Sequence, residues 1–459
     1  MKILLINPAR LIRVGNIWQK INPELPPLGL GYVASYLEKQ GIQVKILDLG
    51  VENINHLDLQ NTVKGMRPDL VGITANTILI KNAIEIAGVI KAALPEAKIV
   101  MGGVHPTIFP DEVLSDPSVD YVVRNEGEIT FAELAGGKPV SEIQGISYKI
   151  GDRHIHNPPR PFMENLDDMP HPAYHLLPMA KYHPSVGNYK RLPAASIITS
   201  RGCPGRCTFC YTGGHGKRIR FRSAENIIDE IQLLIRDYGI KEISFYDDTF
   251  TANKENVRRF CRLIKQENID ITWTCMSRID FVDEETLSLM KIAGCHQIGY
   301  GIESSDEGIL KNIKKRISLS DVPKVIKLTQ KCGIEARAMF IFGSPGETEQ
   351  TMKNTLDFAI KLRPDLVVFN VTTPYPGTEM FAWAKEKGYL NTTDWSKCDL
   401  SQSVMNLPGL EPKVIERFYL MAYRRFYLRP SFLLKRLFKL RSPLDFKNNM
   451  KAFFFMLKK

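Results

Sequence analysis

Between Arg201 and Cys210 the chain reads Arg-Gly-Cys-Pro-Gly-Arg-Cys-Thr-Phe-Cys, placing the thiols of Cys203, Cys207 and Cys210 on one short segment. Three thiolates at C-x3-C-x2-C on a compact loop can hold three irons of a cubane [4Fe–4S] cluster and leave the fourth iron open to a substrate or cosubstrate. Structural zinc is the alternative, but it wants four protein ligands, usually as two separated pairs. The remaining cysteines, Cys261, Cys275, Cys295, Cys332 and Cys398, are scattered singly.

Other polar groups recur downstream at the ends of apolar runs. Asp247 and Asp248 lie in Phe245-Tyr246-Asp247-Asp248-Thr249-Phe250. Ser277 and Arg278 follow the next run, Glu303 and Ser304 close Gly301-Ile302-Glu303-Ser304, and Gly343 and Ser344 open Gly343-Ser344-Pro345-Gly346-Glu347-Thr348. Adjacent carboxylates suit an ammonium, and a guanidinium suits a carboxylate. The plainer reading of Asp247, Ser277 and Ser344 is a cap on the following helix.

The runs that position these groups alternate with helical spacing. Strands are predicted at 195–199, 242–246, 270–275, 297–301, 335–342 and 366–370, with helices such as 224–238 and 321–331 between them. Six βα units predict a full or partial barrel, whose chemistry sits at the C-terminal strand ends. The cysteine loop directly follows the first of these strands.

Residues 1–135 show a second alternation. Strands are predicted at 2–7, 43–49, 70–74, 98–101 and 121–124, and helical stretches at 28–40, 57–66, 80–93 and 110–114. Near-continuous apolar strands between helices predict a parallel, doubly wound sheet that binds its ligand at the strand ends. Those ends carry Asn7, Thr74, Asn76, Gly102, Gly103, His105 and Glu126. The string Leu28-Gly29-Leu30-Gly31-Tyr32-Val33-Ala34 contains G-x-G-x-x-A, but it lies about twenty residues past the first strand, out of context for a dinucleotide site. His105 reads either as a cofactor contact or as an ordinary loop histidine. Residues 136–192, rich in Pro, His and Asp, read as a linker with short strands, and residues 396–459 as a helical region.

A hydrophobic fraction of 44% and a charged fraction of 24% fit a folded chain of 459 residues with two or three domains. No apolar run reaches the roughly 20 residues that span a bilayer. The N-terminus reads as a buried strand instead of a signal peptide, so the expected location is the cytoplasm, with thiols reduced or ligating metal. Of the net charge of +11, residues 424–459 carry +10, with eleven Lys/Arg against Asp445. The rest is nearly neutral, which argues against a nucleic-acid binder. In that tail Leu433, Leu434, Leu437, Phe438 and Leu440 share one helical arc opposite Lys435, Arg436 and Lys439, and Phe453–Leu457 forms an aromatic cluster. Basic and amphipathic together, the segment reads either as peripheral contact with the inner face of the membrane or as a helix packed on the barrel.

The C-x3-C-x2-C loop and the strand-end groups behind it resemble the radical S-adenosylmethionine (SAM) superfamily, and Pro26-Pro27-Leu28-Gly29 with the first alternation resembles its cobalamin-dependent branch. The resemblance covers about residues 1–390. It implies an α/β protein with a flavodoxin-like (Rossmann-like) cobalamin-binding domain at 1–135, a linker at 136–192, a radical SAM (β/α)6-type partial TIM barrel at 193–395 and a helical C-terminal extension at 396–459. The open iron would chelate the amino and carboxylate groups of SAM, and the reduced cluster would cleave SAM to a 5′-deoxyadenosyl radical. Phe209, Asp247, Asp248, Ser277, Arg278, Glu303, Ser304, Gly343 and Ser344 are then expected around the cluster and SAM, and the first-domain strand ends around cobalamin. The D-x-H-x-x-G motif that supplies an axial histidine in many cobalamin domains is missing, and Asp152-Arg153-His154 lacks its glycine. Cobalamin is therefore expected without that histidine. The implied reaction is methylation of an unactivated carbon of a hydrophobic or lipid-like substrate, with a flavodoxin or ferredoxin as reductant. Cyclisation or ring rearrangement of a tetrapyrrole, hopanoid or other lipid is the rival.

Overall fold

The computed structural model describes residues 1–9, 24–185, 187–211, 214, 216, 218–437 and 450. Five parallel strands open the chain: β1 (Lys2–Asn7), β2 (Gln43–Asp48), β3 (Leu70–Thr74), β4 (Lys98–Gly102) and β5 (Tyr121–Val123). Their order is β2-β1-β3-β4-β5, the flavodoxin-like arrangement, with a reversal of direction at β1/β3 that opens a crevice above the carboxyl ends. Ile3, Leu4, Leu5 and Ile6 are all buried because helices cover both faces of the sheet.

The segment expected as a linker contributes β6 (Ile146–Ile150) and β7 (Arg153–His156), which continue this sheet, β6 antiparallel to β5 and β7 antiparallel to β6. Ile146 and Tyr148 bury beside Ile143 in a satellite core. His154 Nδ1 and His156 Nε2 then lie 2.9 and 3.0 Å from Asp111. His154 thus holds a strand to the sheet edge. Residues 172–182 run back beneath the helix Leu28–Lys39. A Cβ on Gly31 would lie 2.9 Å from Pro172 Cβ, so that glycine of the G-x-G-x-x-A string serves close packing.

The second sheet contains β8 (Ala194–Ile197), β11 (Glu242–Phe245), β12 (Thr272–Ser277), β13 (Cys295–Glu303), β14 (Glu335–Phe342) and β15 (Leu366–Val371). They are parallel, stand in chain order and leave β8 and β15 unpaired with each other: an open six-stranded barrel, as expected. Two short strands, β9 (Ser200–Arg201) and β10 (Arg220–Phe221), form a separate antiparallel pair just above β8. Local signals agree with the helices outside. The helix Ala224–Tyr238 is capped by Ser223, whose hydroxyl accepts from Asn226 N, and is stopped by Gly239 in the left-handed region.

The C-terminal region packs on the barrel. The helix Pro412–Tyr427 buries Ile415, Tyr419, Ala422, Tyr423 and Phe426 and lies along the free edge of β15. The Tyr423 hydroxyl accepts from Phe369 N at 3.1 Å and donates to Phe369 O at 2.9 Å. Tyr427 repeats this at Val367, accepting from its N at 3.0 Å and donating to its O. One helical turn separates the tyrosines, matching alternate residues of the strand, and together they satisfy an edge that would otherwise template aggregation. A second helix, Pro430–Leu437, follows. Phe438–Arg441 and the aromatic cluster 453–457 lie outside the described residues.

Candidate active site

Pairing of β9 with β10 makes the cysteine loop leave and rejoin the barrel at one place. On the barrel side, Thr208 N donates to Ile313 O at 3.0 Å and Thr208 O accepts from Met380 N at 2.9 Å. Phe209 packs beside Leu310, Ile313, Ile341 and Met380, so its ring anchors the loop. A Cβ on Gly205 would lie 3.3 Å from Cys203 Sγ and 3.9 Å from Cys207 Sγ, and the bare glycine leaves the space between these thiols clear. Gly205 N donates to Cys203 Sγ at 3.4 Å. Burial raises the pKa of Cys207, so a metal must displace its proton to bind.

Among the described residues no three His, Cys, Asp or Glu side chains converge tightly enough for a single ion. Zinc would draw each sulfur to about 2.3 Å of one point. A cubane instead takes each thiolate on a different iron, and the donor set of Cys203, Cys207 and Cys210 fits it.

The expected SAM contacts divide into two groups. Around the loop stand Arg278, Glu303 and Asp248. Arg278 is held in a bidentate pair by Asp280 (2.9 and 3.0 Å), and a Cβ on Gly205 would come 3.9 Å from its Nη1. Glu303 Oε1 pairs with Lys315 Nζ at 2.7 Å, both buried. Burial alone would lower Lys315, but Glu303 and Cys207 outweigh it and leave the ammonium's pKa raised. Glu303 holds φ at +73°, and a side chain on Gly301 would run into its carboxylate, so the turn is built around this pair. Asp248 is exposed and lines the central cavity.

Four other residues expected near SAM make hydrogen bonds within the barrel. Asp247 Oδ1 accepts from Thr199 N (2.7 Å), Ser200 N (2.6 Å) and the Ser200 hydroxyl (3.0 Å), and Oδ2 from the Thr199 hydroxyl (2.7 Å). Its oxygens hold the turn leading into the cysteine loop; burial pushes its pKa up to about 6. Ser277 contacts Thr251, Ser304 contacts Thr355, and Ser344 contacts Thr372, all three serines buried. At Gly343 and Ser344 the backbone N–H groups donate to Glu347 Oε2 at 2.7 and 2.9 Å, so this turn is closed by its own carboxylate.

A cavity of about 380 Å³ opens between the sheet of the first domain and the loop. Thr74, Gly102, Gly103 and Glu126 line it from the first domain, and Gly202, Tyr246 and Asp248 from the barrel. Gly103 has φ +101°, and a Cβ there would lie 2.6 Å from Ala75 O, so the backbone itself forms the floor where a flat ligand can rest. Asn125 and Glu128, at the same strand end as Glu126, share these walls; sequence reasoning missed Tyr32, Thr107 and Arg201, because their places follow from how two domains meet.

Three other first-domain residues expected near cobalamin lie outside the cavity lining. Asn7 donates to Asp48 Oδ1 at 3.1 Å, and Asn76 accepts from Leu79 N as a cap; neither lines the cavity. His105 is fully buried against Phe109 and Trp395, with Nε2 3.4 Å from Glu112 Oε1. Burial outweighs that carboxylate and lowers its pKa. It faces the segment that carries Trp395, away from the cavity, because Gly103 turns the chain before it.

Glu126 is ionically committed. Its Oε1 lies 2.7 Å from Arg220 Nη2 and 3.1 Å from Arg201 Nη1, while Arg201 Nη2 also reaches Glu128 at 2.6 Å. Arg201 and Arg220 are the two ends of the cysteine loop, so one carboxylate at the rim of the first domain grips both.

Residues 197–359 match the radical SAM superfamily and residues 17–135 the B12 binding domain. An uncharacterized methyltransferase of Pyrococcus horikoshii is 39% identical over 96% of this chain and 95% of its own length. Cytidylyl-2-hydroxyethylphosphonate methyltransferase of Streptomyces wedmorensis is 29% identical over 89% and 86%. The fold is that of the radical SAM methyltransferase TsrM of Kitasatospora setae, whose structure holds cobalamin and a [4Fe–4S] cluster, with a TM-score of 0.70 at 20% identity over 91% of this chain and 81% of that one.

Proposed function

The chain belongs to the cobalamin-dependent radical SAM enzymes, and from that membership we propose that it methylates an unactivated carbon of a hydrophobic or lipid-like substrate. The observation that carries this is the shared cavity. Strand ends of the B12-type domain and the base of the three-thiol loop face the same space, so a methyl donor and a substrate carbon can meet there without crossing solvent.

Cys203, Cys207 and Cys210 would hold the cluster, and Thr74, Gly102, Gly103 and Thr107 would border cobalamin. When bound, these groups supply reductive SAM cleavage and methyl transfer. The chain's own residues position and shield. Arg278 presents a cation beside the loop, and the Glu303–Lys315 pair supplies both charges at the end of β13. The Glu126 grip sets the loop against the cavity floor, and Tyr246 and Asp248 line the cavity from the barrel side.

Anaerobic reconstitution with SAM, hydroxocobalamin, reductant and candidate substrates tests the reading by mass analysis. S-adenosylhomocysteine together with 5′-deoxyadenosine is expected. 5′-Deoxyadenosine alone, with a cyclised or rearranged product, identifies the rival.

The reading extends to a small electron donor such as flavodoxin or ferredoxin and to peripheral membrane contact. Exposed Leu420, Met421 and Leu434 stand among Arg417, Arg424 and Arg425 on the C-terminal helices, which supports contact with an anionic surface. No helix among the described residues is long and apolar enough to cross a membrane. Full-length protein should co-sediment with anionic vesicles and release them as salt rises, and indifference to them at low salt removes the membrane contact.

A further inference from the structure

The lumen of the barrel contains a cation that the proposed chemistry does not use. Arg337 is on β14, five residues before the strand ends at Phe342. Its neighbours Ala336 and Ala338 are fully buried in the core, so Arg337 projects inward. The guanidinium crosses β13 at Gly299, where a Cβ would lie 3.3 Å from Nη2 and 2.6 Å from Met276 Sδ on β12. That glycine makes the room.

Nη1 donates to Asn188 Oδ1, in the segment beneath the barrel. Among the described residues Nη2 has only the Met276 thioether at 3.6 Å, a weak acceptor, and Nε has no acceptor. Among the described residues no carboxylate pairs with it. Burial lowers its pKa, opposed by the phenols of Tyr246 and Tyr427. Yet Arg337 keeps partial exposure to the lumen, as do Met339 and Asn370 nearer the top. Tyr246, at the end of the neighbouring part of the same barrel, lines the central cavity. Nε and Nη2 form the side-on edge of the fork, the pair of donors that takes a carboxylate or phosphate in two parallel bonds. Met276, with three rotatable bonds, can yield to such a ligand.

We propose that Arg337 is the anchor for an anionic group of the substrate, a carboxylate or a phosphate, reaching down the barrel from the central cavity. This rests on the methyltransferase reading and narrows it: the substrate is an amphiphile with an acid group. The anion is not the SAM carboxylate, because the cluster loop that would bind it leaves from β8, at the other side of the barrel and at the strand ends.

Inorganic phosphate and acetate, titrated by calorimetry into the cluster- and cobalamin-loaded full-length protein with SAM present, test the site. At least one anion should bind, at least tenfold more weakly in Arg337→Gln and in Arg337→Lys, which lacks the side-on pair of donors, and within a few-fold of wild type in Asn188→Ala. The anion that binds distinguishes carboxylate from phosphate chemistry. If neither anion binds wild type, if SAM displaces them, or if Arg337→Gln and Asn188→Ala merely lower Tm alike with affinity unchanged, Arg337 is a strut for the segment beneath the barrel and the proposal fails. Should Arg337→Gln not fold, Arg337→Lys still decides: wild-type affinity in that variant, a cation without the side-on donors, overturns the fork geometry. S-adenosylhomocysteine formation, measured separately, reports on the methyltransferase reading independently of these titrations.

Discussion

Arg201 Nη1 and Glu126 Oε1 lie 3.1 Å apart, both side chains more than nine-tenths buried, and they join the first cofactor domain to the loop of the second. Arg201 stands two residues before Cys203, and Glu126 also takes Arg220 at the loop's far end. A buried pair of this kind matters less for net stability than for the geometry it imposes.

Removing the carboxylate should therefore loosen the loop. Glu126→Ala leaves two buried guanidiniums short of a partner, at a cost of about 3–5 kcal/mol. The expected outcome is faster hydrogen exchange across 203–211 and weaker hydroxocobalamin binding, with Glu126→Gln intermediate. Unchanged exchange in Glu126→Ala would show that β9/β10 pairing holds the loop unaided.

Each of Cys203→Ala, Cys207→Ala and Cys210→Ala should abolish 5′-deoxyadenosine formation, since each thiolate serves a different iron. Cys261, Cys275, Cys295, Cys332 and Cys398 should tolerate replacement with iron content largely intact. Full SAM cleavage in any loop variant would remove the central assignment.

Cobalt should carry no protein imidazole. His105 is buried against Trp395, and His154 is engaged with Asp111. Electron paramagnetic resonance of the cobalt(II) form should show no nitrogen splitting from an axial base. Splitting that disappears in His105→Ala would contradict the observed ring placement.

Glu347 makes stability pH-dependent. Burial pushes its pKa up to about 7, against 4.5 for the ordinary group. The folded state thus favours the protonated form. This contribution is full below pH 4.5 and lost as pH rises through 7, on the order of 3 kcal/mol. Glu347→Gln, which keeps an acceptor for Gly343 N and Ser344 N, should flatten the urea-unfolding profile between pH 5 and 8. An unaltered slope would mean that Glu347 titrates normally.

Tyr423→Phe and Tyr427→Phe should each cost about 1–3 kcal/mol, because each strands a backbone N–H and a C=O at the edge of β15. Urea midpoints measure the loss, and the double variant should aggregate faster than either single one. Midpoints within error of wild type would indicate that water replaces the hydroxyls.

Much was legible in the sequence alone. The three cysteines declare their chemistry by type and spacing, and no tertiary contact is needed to know that they share one loop. The alternation of apolar strands and helical periods settles both sheets, because backbone hydrogen bonding and burial act locally with periods of two and 3.6. Side-chain direction at the strand ends is different. Asp247, Ser277, Ser304 and Ser344 stand where ligand contacts are expected, yet each is occupied by a residue 26 to 51 positions away. His105 is claimed by Trp395, nearly 300 residues later. The roles of Glu126, Arg201 and Arg337 arise only when two sheets are brought together, since a buried charge is defined by the partner it finds. Composition and period decide which residues can do chemistry; packing decides which are left free to do it.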